Sequence, residues 1–144
     1  MGLNPTPVFR QIENKIKALV QIPVYVAEIP PDDSLTYDSV TGLMEPFIVL
    51  YFGGPIRAAG DHHLNSSRAD TTILYVTVEC FGARAGDALD IKGLLVDGLV
   101  DFRGDDFSAL ILGGSMQYSR SSNTVRPTQY IEAQSFTTRS NLSS

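Results

Sequence analysis

Residues 72–82 read TILYVTVECFG. Leu74, Val76, Val78 and Cys80 alternate with Ile73, Tyr75, Thr77 and Glu79, the period of two that places successive side chains on opposite faces of a β-strand. One face of this strand is wholly apolar. The other mixes aromatic, hydroxyl and acidic residues, so it is suited to meet solvent or a neighbouring subunit. Residues 47–52, FIVLYF, are apolar on both faces, as in a central strand covered above and below. Between them lie nineteen residues, GGPIRAAGDHHLNSSRADT (53–71), in which no helix is evident. Two strands in succession without a helical crossover argue against a parallel doubly wound sheet.

Reading outward gives the remaining elements. In 6–21, TPVFRQIENKIKALVQ, Val8, Ile12, Ile16 and Leu19 form one apolar stripe, with Arg10, Glu13, Asn14, Lys15 and Lys17 elsewhere. Thr6 can cap this helix and Pro7 suits its first position. Residues 22–31, IPVYVAEIPP, are a short strand closed by two prolines. The polar segment 32–46 holds a small irregular hairpin around SVTG. Residues 84–101, RAGDALDIKGLLVDGLVD, form a second helix with Ala88, Ile91, Leu95 and Leu99 on one side. Gly93 and Gly98 cost it about 1 kcal/mol each relative to alanine, and would let a strand approach closely. Two further strands follow in 108–119 and 126–140, around the polar link RSSNTV.

The expectation is therefore one α+β domain over residues 1–144. It has a mostly antiparallel sheet of about five strands, two helices packed on one face, a long loop at 53–71 between the second and third strands, and a frayed tail at 139–144. The length of 144 residues suits a single domain. With 43% hydrophobic and 19% charged residues, the chain can build a real core. No run approaches the ~20 apolar residues of a membrane span, and the N-terminal stretch lacks the pattern of a secretory signal. Gly2 and Thr6 formally match a myristoylation pattern, but Pro5 and Pro7 make helix punctuation the better reading. The single cysteine, Cys80, reads as a small buried hydrophobe. A net charge of −5 disfavours tight nucleic-acid binding.

The sharpest chemical temptation is Asp61, His62 and His63 in the long loop. Adjacent histidines point in different directions, and the chain has no third histidine to complete a zinc set. Asp70 could contribute, but no spacing enforces it. A nucleophile motif is lacking, and FGGPIRAAG lacks the lysine and hydroxyl of a phosphate-binding loop. No cofactor or catalytic residue is assigned. A connection longer than about 12–15 residues is itself informative, because such loops are commonly functional.

Several stretches together resemble the tail terminator proteins of long-tailed bacteriophages (siphophages). An amphipathic N-terminal helix runs into IPVYVAEIPPD, and EPFIVLYFGGP leads to a long polar excursion. TTILYVTVECFGAR is then followed by the helix AGDALDIKGLLVDGLV, and two strands end in TQYIEAQSF. The likeness covers nearly the whole chain and rests on element order and local character. It implies a structural virion protein at the head-proximal end of the tail, assembled in the host cytoplasm, rather than an enzyme. Such proteins form a ring of identical subunits, typically a hexamer, on the tail tube protein. The ring ends tube growth and offers the joining surface to the head–tail connector, and DNA passes through it without specific binding.

A head-completion or neck connector protein is the structural alternative. A small metal-dependent hydrolase built on Asp61, His62, His63 and Asp70 is the alternative of another class. For a partner interface the sequence nominates Arg57, Asp61, His62, His63, Arg68 and Asp70 in the loop. Tyr130 and Phe136, on one face of the last strand with Glu132 and Gln134 between, are further interface candidates, with core packing as the other reading.

Overall fold

The computed structural model describes residues 5–31, 34–57, 72–105, 107–120 and 128–140. Elements run α1 (Thr6–Leu19), β1 (Val24–Val26), β2 (Phe47–Arg57), β3 (Thr72–Gly82), α2 (Ala85–Leu99), β4 (Ile111–Arg120) and β5 (Gln129–Ser140). The sheet order is β1-β2-β3-β5-β4. Only β1 with β2 is parallel; the β2–β3, β3–β5 and β4–β5 pairs are antiparallel. This is the α+β architecture expected from the order of elements.

Both helices lie on one face. Val8, Ile12 and Ile16 of α1 meet Ile91, Leu95 and Leu99 of α2 over Ile48, Leu50, Leu74, Val76, Val78 and Cys80 of the sheet. Phe9 stacks on Phe52 with ring centroids 4.5 Å apart, which seats α1 over β2. Full burial of each such side chain contributes roughly 1.5–3 kcal/mol. Sequence spacing alone located the buried faces of both helices.

A second, smaller cluster occupies the opposite face at the β1–β2 side. Phe47 stacks on Phe81 at 4.5 Å, and Met44, Val49 and Ile131 complete the buried set. The polar segment before β2 covers it. Asp38 ties a turn there by accepting the backbone N–H groups of Val40 (2.8 Å) and Thr41 (2.9 Å). Tyr37 and Met44 form an antiparallel bridge, and Gly42 takes φ +72°. That turn is the small hairpin expected around SVTG, and its two N–H bonds hold the Asp38 carboxyl below the usual carboxylate range.

Two boundaries and one packing contact differ from the sequence reading. β2 continues past Phe52 to Arg57, across a register shift between Gly53 and Ile56, so residues 53–57 belong to the sheet rather than to the loop. Gly54 has φ +92°, and such a glycine lets a strand bend through a bulge without ending its pairing. β5 runs to Ser140, with Arg139 opposite Ile73 and Ser140 opposite Thr72, so the sheet includes two residues assigned to the frayed tail. At Gly98 the element that approaches is α1, not a strand: a Cβ there would collide with the Leu19 side chain. Around Gly93 the same position is open.

Candidate interaction surface

The nominated residues separate into three groups. Arg57 is the last residue of β2 and pairs with Thr72 in the ladder. Asp61, His62, His63, Arg68 and Asp70 lie outside the described residues. Tyr130 and Phe136 do share a face of β5, but it is the helix-covered face. Phe136 is fully buried among the core side chains beneath α1 and α2, so its nomination as a surface anchor is corrected to core packing. Its ladder partner Val76 brings it under the helices. Tyr130 sits further along, beyond that cover, and is 39% exposed.

Glu132 and Gln134, between those aromatics, are buried. Each has a partner from a distant segment. Lys92 of α2 reaches Glu132 at 3.4 Å. Gln134 Nε2 donates to the carbonyls of Gly113 (3.0 Å) and Gly114 (3.2 Å) on β4. Those glycines lie where the β4–β5 register shifts between Leu112 and Ser115, so one amide satisfies backbone acceptors that the irregular ladder releases. Thr138 donates to the Ser108 carbonyl at 2.6 Å. Cys80 is buried beside them, and burial, with the nearby Glu132 charge, pushes its thiol up to about 12. At neutral pH such a buried, protonated thiol is a poor nucleophile. Among the described residues, no three His, Cys, Asp or Glu side chains come close enough to hold a metal ion. No described helix is long and apolar enough to cross a membrane.

The surface that stands out is β4, a residue set the sequence did not nominate. The strand is ten residues long and closes one end of the sheet. Every residue from Ile111 to Ser119 is exposed, including Ile111 at 57% and Met116 at 62%. The helices cover the sheet over β3 and β5 and do not extend over this strand. Among the described residues no element covers either of its faces, and no strand pairs with its outer edge. Soluble domains usually guard such an edge with lysine, proline or a very short strand. Residues 111–119 contain no charge and no proline. The opposite edge is guarded in the usual way, since β1 has only three residues.

On the face away from the helices, β4 adjoins a shallow trough. Its floor is made of small side chains: Thr77, Ala133 and Ser135, with Gly114 beside them. Thr77 and Ser135 hydroxyls are 3.3 Å apart across the β3–β5 ladder. The Tyr118 hydroxyl passes over Ala133 and donates to the Glu79 carboxylate. Burial, and then this bond to Glu79, holds the Tyr118 phenol well above its usual range; burial and the Glu79 charge raise Tyr51 as well. The trough encloses about 420 Å³ and opens broadly to solvent. Its shape suits protruding side chains of another protein surface better than a small molecule, whose sites are typically concave and mostly enclosed.

A sequence signal for this surface existed in part. ILGGSMQYS has strand character with three large apolar residues and a glycine pair, but no pattern says whether helices reach over it. Compared with known proteins, the chain matches no protein-family model, and no curated protein is significantly similar to it.

Proposed function

We propose that this protein is a structural subunit that assembles with copies of itself into a ring. In this reading it serves as a tail terminator, capping the tube of a long-tailed phage and presenting the joining surface for the head connector. The observation that carries the assembly part is β4, a long terminal strand without charge over residues 111–119, with both faces and its outer edge uncovered among the described residues. Such a strand is a liability in a monomer and an asset in a subunit, because a neighbour can bury it. The phage assignment rests on the sequence resemblance: an amphipathic helix, a strand pair split by a long polar connection, a helix and a final strand pair. A net charge of −5 suits a ring through which DNA passes without being gripped.

The test is solution mass by light scattering behind a sizing column, across a range of concentrations, with and without purified tail tubes. A ring-sized species, alone or on addition of tubes, is the expected result. A single-subunit mass under all these conditions would overturn the proposal. Binding to connector complexes with indifference to tubes would move the protein to the neck instead.

A further inference from the structure

β1 and β4 are the two ends of the sheet, and only β4 is long. From Ile111 to Ser119 it is exposed and carries no charge. The register shift between Leu112 and Ser115 divides it, and beyond the shift the ladder is regular. Met116 and Tyr118 stand on the trough face with Ala133 and Ile131. Ser115, Gln117 and Ser119 stand on the other face with Gln134, Glu132 and Tyr130. The two long side chains at the end of this segment turn inward, away from the outer edge. Tyr118 donates to Glu79, and Arg120 donates to Gln129 at 2.6 Å and lies over the Phe81 ring. Among the described residues, the backbone edge from Gly114 to Arg120 is thus open to another strand.

We infer that in the free protein this edge pairs with the same edge of a second copy, antiparallel about a two-fold axis at Gln117. An axis perpendicular to the sheet leaves each side chain on its own face, so paired residues must share a face. Centred on Gln117, the pairing sets Ser115 opposite Ser119, Met116 opposite Tyr118 and Gln117 opposite itself, and every pair obeys that condition. Hydroxyl meets hydroxyl, thioether meets aromatic ring and amide meets amide, all of them cross-strand pairs that stabilise a sheet. Arg120 falls opposite Gly114, where nothing stands within 4 Å of an added Cβ. The two copies of Arg120 are then roughly 20 Å apart along the strands, beyond the ~8 Å screening length of physiological salt. Sliding the register by two residues sets Met116 against Arg120 in one direction. In the other it brings the irregular segment at Gly113 into the ladder. A slip of one residue places unlike faces together.

The lack of charge favours a second copy as the occupant, because a two-fold axis brings each residue near its own duplicate. Any charge at the centre of the strand would meet itself there. The other terminal strand, β1, offers only three residues and is the poorer partner. Paired over 114–120, two β4 edges form about six to eight backbone hydrogen bonds. Such a contact is at the small end of specific interfaces, so it forms and opens with concentration. The pairing rests on the fold, and its consequence rests on the ring reading. A two-fold contact joins a surface to itself, whereas a ring joins unlike surfaces. A dimer closed at β4 therefore withholds that strand from a ring neighbour until the dimer opens.

Solution mass and cysteine cross-linking of the full chain test this together. Wild type and Gln117→Lys are weighed by light scattering across a range of concentrations, with and without tail tubes, and circular dichroism checks that the variant is folded. Gln117→Cys and Ser119→Cys are oxidised mildly and their bridges mapped by mass spectrometry. Without tubes, the wild-type mass should rise to two subunits. Gln117→Lys should weaken that dimer at least tenfold, since it sets two lysines face to face. Gln117→Cys should bridge to itself, and Ser119→Cys, which lies away from the axis, should not. A dimer that lacks the 117–117 bridge, or that Gln117→Lys leaves intact, would overturn the pairing. Wild-type rings without tubes and without that bridge would overturn it and leave the ring reading standing. A bridged dimer that tubes do not convert to rings would uphold the pairing and overturn the ring. A single-subunit mass throughout would overturn both.

Discussion

Lys92 on α2 meets Glu132 on β5 at 3.4 Å, beneath the helix layer and beside Cys80, with the carboxylate side chain only 5% exposed. This pair joins the second helix to the sheet at a point where apolar packing is interrupted. An ion pair of this kind adds little net stability, but removing one partner leaves the other stranded.

Lys92→Met is therefore expected to destabilise the fold by about 1–3 kcal/mol, a range below that of fully buried pairs because the lysine retains some water. The double variant Lys92→Met/Glu132→Leu should recover most of the loss. Urea unfolding midpoints of the three proteins check this. A double variant weaker than the single would show that Glu132 has other essential partners.

Gly93 and Gly98, in the interior of α2, should respond with opposite signs. Gly93→Ala fills open space and gains helix propensity, so stability should rise by up to about 1 kcal/mol. Gly98→Ala meets the Leu19 side chain and should lower it despite the same propensity gain. Paired thermal melts measure the difference.

Phe136→Ala should cost about 3–5 kcal/mol, as for other fully buried aromatic side chains. Tyr130→Ala, six residues earlier on the same face, should change stability by about 0.5 kcal/mol or less, since it lies outside the helix cover. Denaturant titration distinguishes them. Similar costs for the two would refute the division of β5 into a covered and an uncovered part.

Cys80 predicts a pH dependence. The unfolded thiol ionises near ~8.5, whereas the folded one is pushed up to about 12. The folded chain thus keeps a proton that the unfolded chain releases. The contribution is fully present below ~8.5 and is lost as pH rises towards the folded value, by at most about 1.4 kcal/mol per pH unit. Unfolding free energies between pH 8 and 10 should fall for the wild type and fall less steeply for Cys80→Ala. Above roughly pH 10, the raised phenols of Tyr51 and Tyr118 add a loss of the same sign in both proteins.

Much of the fold was legible without coordinates, because some patterns are local. Val8, Ile12 and Ile16 recur at the helical period, and so do Ala88, Ile91, Leu95 and Leu99; all of them are buried. The alternation in 72–82 identified the core face of β3 correctly. The class followed from the order of these elements, since strands in succession pair as hairpins. The candidate surface was not legible in this way. Tyr130 and Phe136 have the same parity on one strand, and only the reach of α1 and α2 makes one exposed and the other buried. Glu132 and Gln134 look like solvent-facing residues in the sequence. Their partners, Lys92 and the carbonyls at Gly113 and Gly114, come from distant parts of the chain.

By itself, then, the sequence determined the two helices, the antiparallel character of the sheet and the faces that form its core, because each depends on spacing among neighbours. The tertiary structure alone decided that β4 ends the sheet with its side chains exposed, that Phe136 is core, and that α2 and the small-residue trough lie on opposite sides. Those outcomes depend on strand order and on where a rigid helix layer stops. Both are set by contacts between segments tens of residues apart, and no local period records them.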